Sequence, residues 1–213
     1  NNVESFAGIP VILREGGRYF RQLGTAGGGG TKLVCLTGHV KHRGLYEIKL
    51  GTPLEELINS EAFGGGSSTG RPLKFAHFGG QSGMIGDLNA LAACRYSYED
   101  LWEHGVSVGC GALVVLDDSV NLVDYLTQVA AFFAHESCGK CTPCRLGTLR
   151  QLELMEKIQQ GKADRQDLAV LQGMISQITM LSACGLGQST GNAIARGLAA
   201  FPQDFQEKIQ PTV

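Results

Sequence analysis

Several features that would place a chain in a common functional class are missing from this sequence. It has no apolar run near the length of about 18–20 residues that a membrane-spanning helix needs, and no signal peptide at its start. Its formal net charge is only −2, so it offers no basic footprint for nucleic acid. It also lacks an initial Met, and its first residues, Asn1-Asn-Val-Glu-Ser, look like the middle of a fold. We therefore expect a fragment or processed product of a cytoplasmic protein, with no membrane span and no nucleic-acid partner.

Glycine is plentiful in the first half of the chain and scarce in the second half until Cys184. Within the first half, short apolar or alternating runs predict strands near residues 33–37, 44–50, 73–78 and 112–116. The capping box Thr52-Pro-Leu-Glu55 predicts a short helix with Pro53 as its first residue. The Gly64–Gly70 run predicts a loop or a ligand contact. Together these elements suggest a small β-grasp-like α+β unit over residues 27–117.

Apolar residues at helical spacing predict helices on both sides of this unit. A helix over residues 4–23 would be interrupted at Pro10. Four more helices would fill residues 118–213, with Leu146 and Leu149 among the inward-facing side chains of the second. The predicted N-caps of the first three are Asp117–Ser119, Thr142 (which precedes Pro143) and Asp164, and the fourth would begin near residues 190–192. We expect these stripes to form the core of an all-α four-helix bundle.

Four of the seven cysteines stand in an informative pattern. Cys138, Cys141 and Cys144 lie in the run Glu-Ser-Cys-Gly-Lys-Cys-Thr-Pro-Cys-Arg, and Cys184 lies far downstream. A four-iron, four-sulfur cluster needs one thiolate for each iron, and two-residue gaps let neighbouring thiolates reach adjacent corners. The spacing therefore predicts a [4Fe–4S] cluster with these four ligands.

The surroundings of the triplet suit an anionic cofactor. A helix that starts at Pro143 would direct free N–H groups and the positive end of its dipole toward the cluster. Lys140 and Arg145 add positive charge, and the glycines after Cys184 would let the backbone approach the sulfurs. His135 could tune the cluster or could be a plain helix-end histidine, and Glu136 has the same ambiguity.

Other uses of the cysteines fit the pattern less well. A zinc site with four cysteines usually pairs two Cys-x-x-Cys knuckles, and the second knuckle is missing here. Disulfides fit poorly with an odd number of cysteines and a closely spaced triplet. We expect Cys35, Cys94 and Cys110, which stand apart, to be small buried hydrophobic residues.

The triplet run, the stretch Cys184-Gly-Leu-Gly-Gln and the initial Asn-Asn-Val-Glu-Ser together resemble the flavoprotein subunit of NADH dehydrogenases. That family includes the NADH-oxidising subunit of complex I and the diaphorase subunits of soluble NAD-linked hydrogenases and formate dehydrogenases. The stretch after Cys184 is more similar to the hydrogenase and formate dehydrogenase members. The resemblance covers essentially the whole chain.

The resemblance implies a domain order and a role. Residues 1–26 would be the tail of an absent FMN- and NADH-binding domain, with Asn1 and Asn2 near the flavin phosphate. Residues 27–117 would be the β-grasp domain, of the soluble-ligand-binding type, and residues 118–213 the cluster-binding helices. In the family, NADH gives a hydride to FMN, and the cluster accepts the electrons singly and passes them on. Partners would be the FMN domain, a [2Fe–2S] thioredoxin-like subunit and further redox subunits.

Two functions are therefore expected from the sequence. The first is an electron-transfer portion of an NADH:acceptor oxidoreductase subunit, inactive by itself without its FMN domain. The subunit would belong to a soluble NAD-linked hydrogenase or formate dehydrogenase, with the NADH-binding subunit of complex I as the alternative. The alternative is a binding module in which a cluster or zinc ion serves only to stabilise the fold.

Overall fold

The computed structural model describes residues 2–210, which form a mixed β-sheet followed by a helical region. Two helices precede the sheet, α1 (Val3–Glu15) and α2 (Gly17–Gln22). The sheet part contains, in chain order, β1 (Thr31–Gly38), β2 (Gly44–Lys49), β3 (Thr52–Pro53), α3 (Leu54–Asn59), β4 (Leu73–Phe78), β5 (Met84–Asp87), β6 (Arg95–Tyr96), α4 (Tyr98–Glu103) and β7 (Ala112–Asp117). The helical region contains α5 (Leu122–Glu136), α6 (Thr142–Gln159), α7 (Arg165–Leu181), α8 (Gly185–Ser189), α9 (Asn192–Ala200) and α10 (Pro202–Gln206).

The main sheet has five strands in the order β2-β1-β7-β4-β5. The pairs β1–β2, β7–β4 and β4–β5 are antiparallel, and β1 runs parallel to β7 at the centre. One face of β1 supplies Val34 and Leu36 to a buried core that α3 closes with Leu54 and Leu57. The α+β class predicted from the sequence is therefore confirmed, as are the four predicted strands.

The second core lies between the sheet and the helical region. Phe75 of β4 and Ile85 of β5 pack with the apolar faces of α5, α6, α7 and α9 in one cluster. His77 of β4 and Tyr125 of α5 join the two parts by a hydrogen bond of 2.9 Å between the ring Nδ1 and the phenol oxygen. Lys74 of β4 and Asp204 of α10 form an ion pair at 2.5 Å. The sheet therefore supports the helices that carry the cysteine loop.

Three predicted helix starts are wrong, and in two of them the expected cap bonds to another group. Thr52 lies in β3 and donates its hydroxyl to Lys49 O at 2.8 Å, so α3 begins at Leu54 without a side-chain cap. Asp117 is buried and accepts hydrogen bonds from Thr69 and Ser119, and Asn121 caps α5 instead. Thr142 is the first residue of α6, whose N-cap is Cys141.

The predicted interruption at Pro10 is also wrong. Pro10 lies inside α1, where its missing N–H leaves only the carbonyl of the exposed Phe6 without an intrahelical partner. Water can replace that bond. The helix ends instead at Gly16, whose φ of 89° an L side chain rarely adopts.

Other helical predictions are confirmed in part. Asp164 caps α7 in a reciprocal capping box with Asp167, as predicted, and α9 begins at Asn192. Leu146 and Leu149 of α6, predicted to face inward, are exposed, while Leu154, Met155 and Ile158 carry the buried face. The short helices α4, α8 and α10 and the strands β3, β5 and β6 were not predicted. Within residues 2–210, no helix has both the length and the apolarity to cross a membrane.

Candidate metal centre

The four candidate ligands lie in two loops of the helical region. Cys138 lies in the loop between α5 and α6, Cys141 is the N-cap of α6 and Cys144 is in its first turn. Cys184 is the N-cap of α8. Cys144 is buried, Cys141 is half-buried, and Cys138 and Cys184 are exposed. The candidate centre therefore has one side inside the protein and one side at the surface.

Contacts between the two loops show that they meet. The backbone N–H of Ala183, next to Cys184, is the first cause that lowers the pKa of the Cys141 thiol. The backbone N–H and the side chain of Cys144 contribute to the same shift. The segment that carries Cys184 therefore lies next to the first turn of α6.

Gly187 lets α8 lie directly against Cys144. A methyl group placed on Gly187 would lie 2.4 Å from Ser182 Oγ, 2.5 Å from Ser182 Cβ and 3.1 Å from Cys144 Cβ. Any larger residue at this position would therefore push the Cys184 segment away from α6. The sequence indicated that glycines would allow close approach here, and the contact that requires one is with Ser182 and Cys144.

A buried polar network holds the Cys184 segment on α6. The Gln151 side-chain amide donates to Thr190 O at 2.9 Å, and the Thr190 hydroxyl contacts Gln151 Oε1 and Gly187 O at 3.4 Å. Gln151, Thr190 and Gly187 are all buried. These bonds join the segments that carry Cys144 and Cys184, and the sequence pattern gave no signal for them.

The triplet loop has its own fixed conformation. The Arg145 guanidinium donates to Gly139 O at 3.0 Å, and Gly139 has a φ of 74°, which favours glycine. Ser137, the C-cap of α5, places its hydroxyl oxygen 3.3 Å from Cys144 Sγ. Arg145 therefore shapes the loop through a backbone contact as well as adding charge.

The residues present fit a four-iron cluster. Four cysteine sulfurs from two loops are the donor set that such a cluster uses. The buried Ser182 Oγ has no hydrogen-bond partner among residues 2–210, so it is free to donate to a group seated between the loops.

The remaining predicted site residues lie apart from this centre. Asn2 caps α1 by accepting from the Glu4 N–H at 2.8 Å, and it lines a cavity of about 570 Å³ together with Lys32 and Tyr98. Asn1 lies outside the described residues. The exposed His135 contacts Glu136 at 3.1 Å, the arrangement of a plain helix-end pair.

Two of the three solitary cysteines are not buried, contrary to expectation. Cys94 is buried, but Cys35 and Cys110 are exposed. Cys35 alternates with the buried Val34 and Leu36 on β1, so it lies on the opposite face of the strand.

The Gly64–Gly70 run is a loop that the fold itself uses. The carbonyl oxygens of Gly64 and Gly66 accept hydrogen bonds from the backbone of His42 and Lys41. The N–H groups of Gly64, Gly65 and Gly66 donate back to α3 and the residue after it. The run therefore packs the β1–β2 turn against α3.

One group of metal-ligand residue types was missed by the sequence analysis. Donor atoms of Cys94, Asp100 and His104 lie within 4.8 Å of one another beside α4. Asp100 accepts from the Arg95 N–H at 2.6 Å, and the His104 ring lies 2.8 Å from Asp100 O. Asp100 and His104 therefore already have backbone partners, while Ser97 caps the start of α4.

Comparison with known proteins matches the region in which the four cysteines lie. Residues 124–208 match the "NADH-ubiquinone oxidoreductase-F iron-sulfur binding region". The chain is 37% identical to the NADP-reducing hydrogenase subunit HndC of Solidesulfovibrio fructosivorans, over 98% of this chain and 42% of that protein. It is also 37% identical to the F-type subunit of the NADH-quinone oxidoreductase of Streptomyces coelicolor, over 98% of this chain and 46% of that protein.

A solved structure has the same fold. The crystal structure of NAD⁺-reducing [NiFe]-hydrogenase in the H₂-reduced state matches with a TM-score of 0.88 and 32% identity. The match covers 100% of this chain and 35% of that one. The chain spans about half the length, or less, of the curated relatives it matches.

Proposed function

The chain belongs to the family of the F-type NADH dehydrogenase subunits and the hydrogenase subunit HndC, in the C-terminal part that carries the 4Fe–4S region, and from this premise we propose that it is an electron carrier. In this proposal Cys138, Cys141, Cys144 and Cys184 hold one [4Fe–4S] cluster. The portion formed by this chain passes single electrons between FMN and the next redox centre of an NADH-oxidising diaphorase subunit.

The observation that carries the proposal is the meeting of the two cysteine loops. Gly187, three positions after Cys184, lies directly against Cys144. Cysteines 40 or more positions apart in sequence would not be brought together in this way by local spacing alone. The buried network from Gln151 to Thr190 then holds the arrangement in place.

The protein residues supply position, shielding and charge. A [4Fe–4S] cluster, when bound, takes up and gives up one electron at a time. The buried Cys144 would hold it against the core formed by α6 and α7, where water is excluded. The exposed Cys138 and Cys184 would leave the opposite side open to another redox centre. Lys140 and Arg145 lie in the triplet segment and offset part of the negative charge.

The rest of the redox chain lies mostly in residues beyond this sequence. FMN and NAD(H) would be bound by an N-terminal domain of the same subunit, and Asn1 and Asn2 would lie near the flavin phosphate. The Asn2 side-chain oxygen accepts from the Glu4 N–H, and its amide NH₂ could donate to such a phosphate. Partners would be a [2Fe–2S] thioredoxin-like subunit and further redox subunits in the cytoplasm.

A soluble hydrogenase or formate dehydrogenase is the complex that we favour. The relatives include both a hydrogenase subunit and complex I-type subunits at equal identity, so overall similarity does not separate them. The stretch from Cys184 to Thr190, which resembles the hydrogenase and formate dehydrogenase members, decides the choice.

The domain assignment is part of this proposal. The sheet order β2-β1-β7-β4-β5, with a central parallel pair, supports a β-grasp domain over residues 27–117. The longer helices α5, α6, α7 and α9 would form the four-helix bundle over residues 118–213, with α8 and α10 as short additions. Residues 1–26 would be the tail of the FMN domain. Helix α1 of this tail packs on β1 through the Glu4–Lys32 ion pair.

Replacing each candidate ligand by serine tests the proposal. We expect Cys138→Ser, Cys141→Ser, Cys144→Ser and Cys184→Ser each to lose most of the iron and acid-labile sulfide that the anaerobically purified protein carries. Cys35→Ser is the matched control, because Cys35 is an exposed thiol in β1, away from the centre. Equal iron in all five variants would contradict the assignment.

A further inference from the structure

Ser137 lies beside the buried ligand of the candidate centre. Its hydroxyl oxygen is 3.3 Å from Cys144 Sγ, within the range of a hydrogen bond to sulfur. Its backbone N–H donates to Phe133 O at 3.1 Å and so fixes Ser137 at the end of α5. The position of the hydroxyl is therefore set by the helix and does not depend on the loop alone.

The direction of the hydrogen bond follows from the other contacts of the hydroxyl. The Gly139 N–H donates to Ser137 Oγ at 3.4 Å, so the oxygen already serves as an acceptor. Its own proton is left to be donated. A cysteine bound to iron is a thiolate without a proton, so Cys144 Sγ can only accept. Ser137 must then be the donor.

We propose that Ser137 is a positioning residue that raises the reduction potential of the cluster by donating a hydrogen bond to the Cys144 thiolate. The inference rests on the proposed function. Reduction adds negative charge that spreads onto the sulfurs, and a donor stabilises the more negative state more strongly. Only 4% of Cys144 is exposed, so water cannot easily replace a lost donor there.

The test is a potentiometric titration of the anaerobically purified protein, followed by electron paramagnetic resonance, with iron and sulfide measured on each sample. In Ser137→Ala we expect the ratio of reduced to oxidised cluster at a fixed potential to fall roughly tenfold. For a one-electron couple this corresponds to a midpoint about 59 mV more negative. Ser137→Thr, which keeps a hydroxyl, should titrate close to the wild type.

Two further variants separate the hydroxyl from its surroundings. Ser137→Val has nearly the shape of Ser137→Thr without the hydroxyl, so this pair compares equal volumes. Ser189→Ala is the control near the other loop, because the Ser189 hydroxyl donates to Gly185 O at 2.7 Å inside α8. We expect Ser137→Val to shift like Ser137→Ala, and Ser189→Ala to leave the midpoint unchanged.

The outcomes distinguish this inference from the proposed function. If the wild-type protein carries no cluster, the proposed function itself is wrong. A cluster that is present at full iron content and titrates at the wild-type potential in Ser137→Ala and Ser137→Val would overturn only the role of Ser137. The role of Ser137 in setting the potential would also be overturned if Ser137→Ala and Ser137→Val both lose the cluster while Ser137→Thr retains it. Ser137 would then be needed to retain the cluster.

Discussion

Replacing Gly187 by alanine should push the Cys184 segment away from α6, because the new methyl group has no space. Gly187 lies in α8, and the methyl carbon would stand 2.4 Å from Ser182 Oγ, 2.5 Å from Ser182 Cβ and 3.1 Å from Cys144 Cβ. The hydroxyl of Ser182 could rotate away, but its Cβ cannot. The backbone on one side of the candidate centre must therefore shift.

Gly185, in the same short helix, provides a matched control. A methyl group on Gly185 meets no atom within 4 Å. Neither glycine has a positive φ, so alanine fits both backbones. In both variants the new alanine should raise the free energy of unfolding by roughly 0.5–1 kcal/mol, because alanine loses less backbone entropy than glycine in a helix. That gain cancels in the comparison and leaves the overpacking cost, about 1–3 kcal/mol.

We therefore expect Gly187→Ala to be less stable than Gly185→Ala by about 1–3 kcal/mol. For a chain of this size, each kcal/mol corresponds to roughly 2–4 °C in the melting temperature. The measurement is thermal unfolding of both anaerobically prepared variants, with iron per chain determined on the same samples. Iron content should fall in Gly187→Ala, because the Cys184 segment is displaced. Equal melting temperatures and equal iron would refute the close contact between α8 and Cys144.

Two further predictions concern the sheet–helix interface and the activity of the isolated chain. Burial lowers the pKa of His77 from 6.5 to about 4, so between these values the unfolded chain binds more protons and stability falls as the pH falls. Between pH 7 and pH 5 the free energy of unfolding should lose about 2 kcal/mol from this group, and His77→Gln should show a smaller loss in urea titrations. An equal loss in both proteins would exclude His77 as the cause. The chain alone should bind its cluster and yet show no NADH-dependent dye reduction, since FMN and NADH would be bound elsewhere. Turnover by the purified chain would contradict that division of roles.

The sequence predicted best what depends on local spacing. Two-residue gaps between Cys138, Cys141 and Cys144 are a property of the covalent chain, and so is the alternation that marks β1 and β2. The strand positions and the α7 cap at Asp164 were found for the same reason. Residues that act within a few positions of one another leave a pattern that can be read directly.

Features that depend on distant partners were missed. Asp117 looked like a helix cap, but its carboxylate is taken by Thr69 from a loop 48 positions earlier. Thr52 looked like a cap as well, but its strand pairs with Tyr96. A short polar side chain can bond to several nearby groups, and only the tertiary structure decides which one it meets.

The sequence overestimates burial where the apolar stripe of a helix is wider than the part of that helix that other elements cover. Leu146 and Leu149 fit the helical period of α6, yet they are exposed. Leu146 lines an apolar surface beside the candidate centre together with Pro143 and Leu181. Periodicity shows which residues share a helix face but not how much of that face another element covers.

The most direct test of the central claim is electron paramagnetic resonance on the anaerobically purified, dithionite-reduced protein, with iron, sulfide and zinc assayed on the same sample. An electron carrier with the four cysteine ligands should give a rhombic low-temperature signal and close to four irons and four sulfides per chain, as the cluster type requires. No signal, with about one zinc per chain in place of iron, would contradict the account and leave the metal a structural role only.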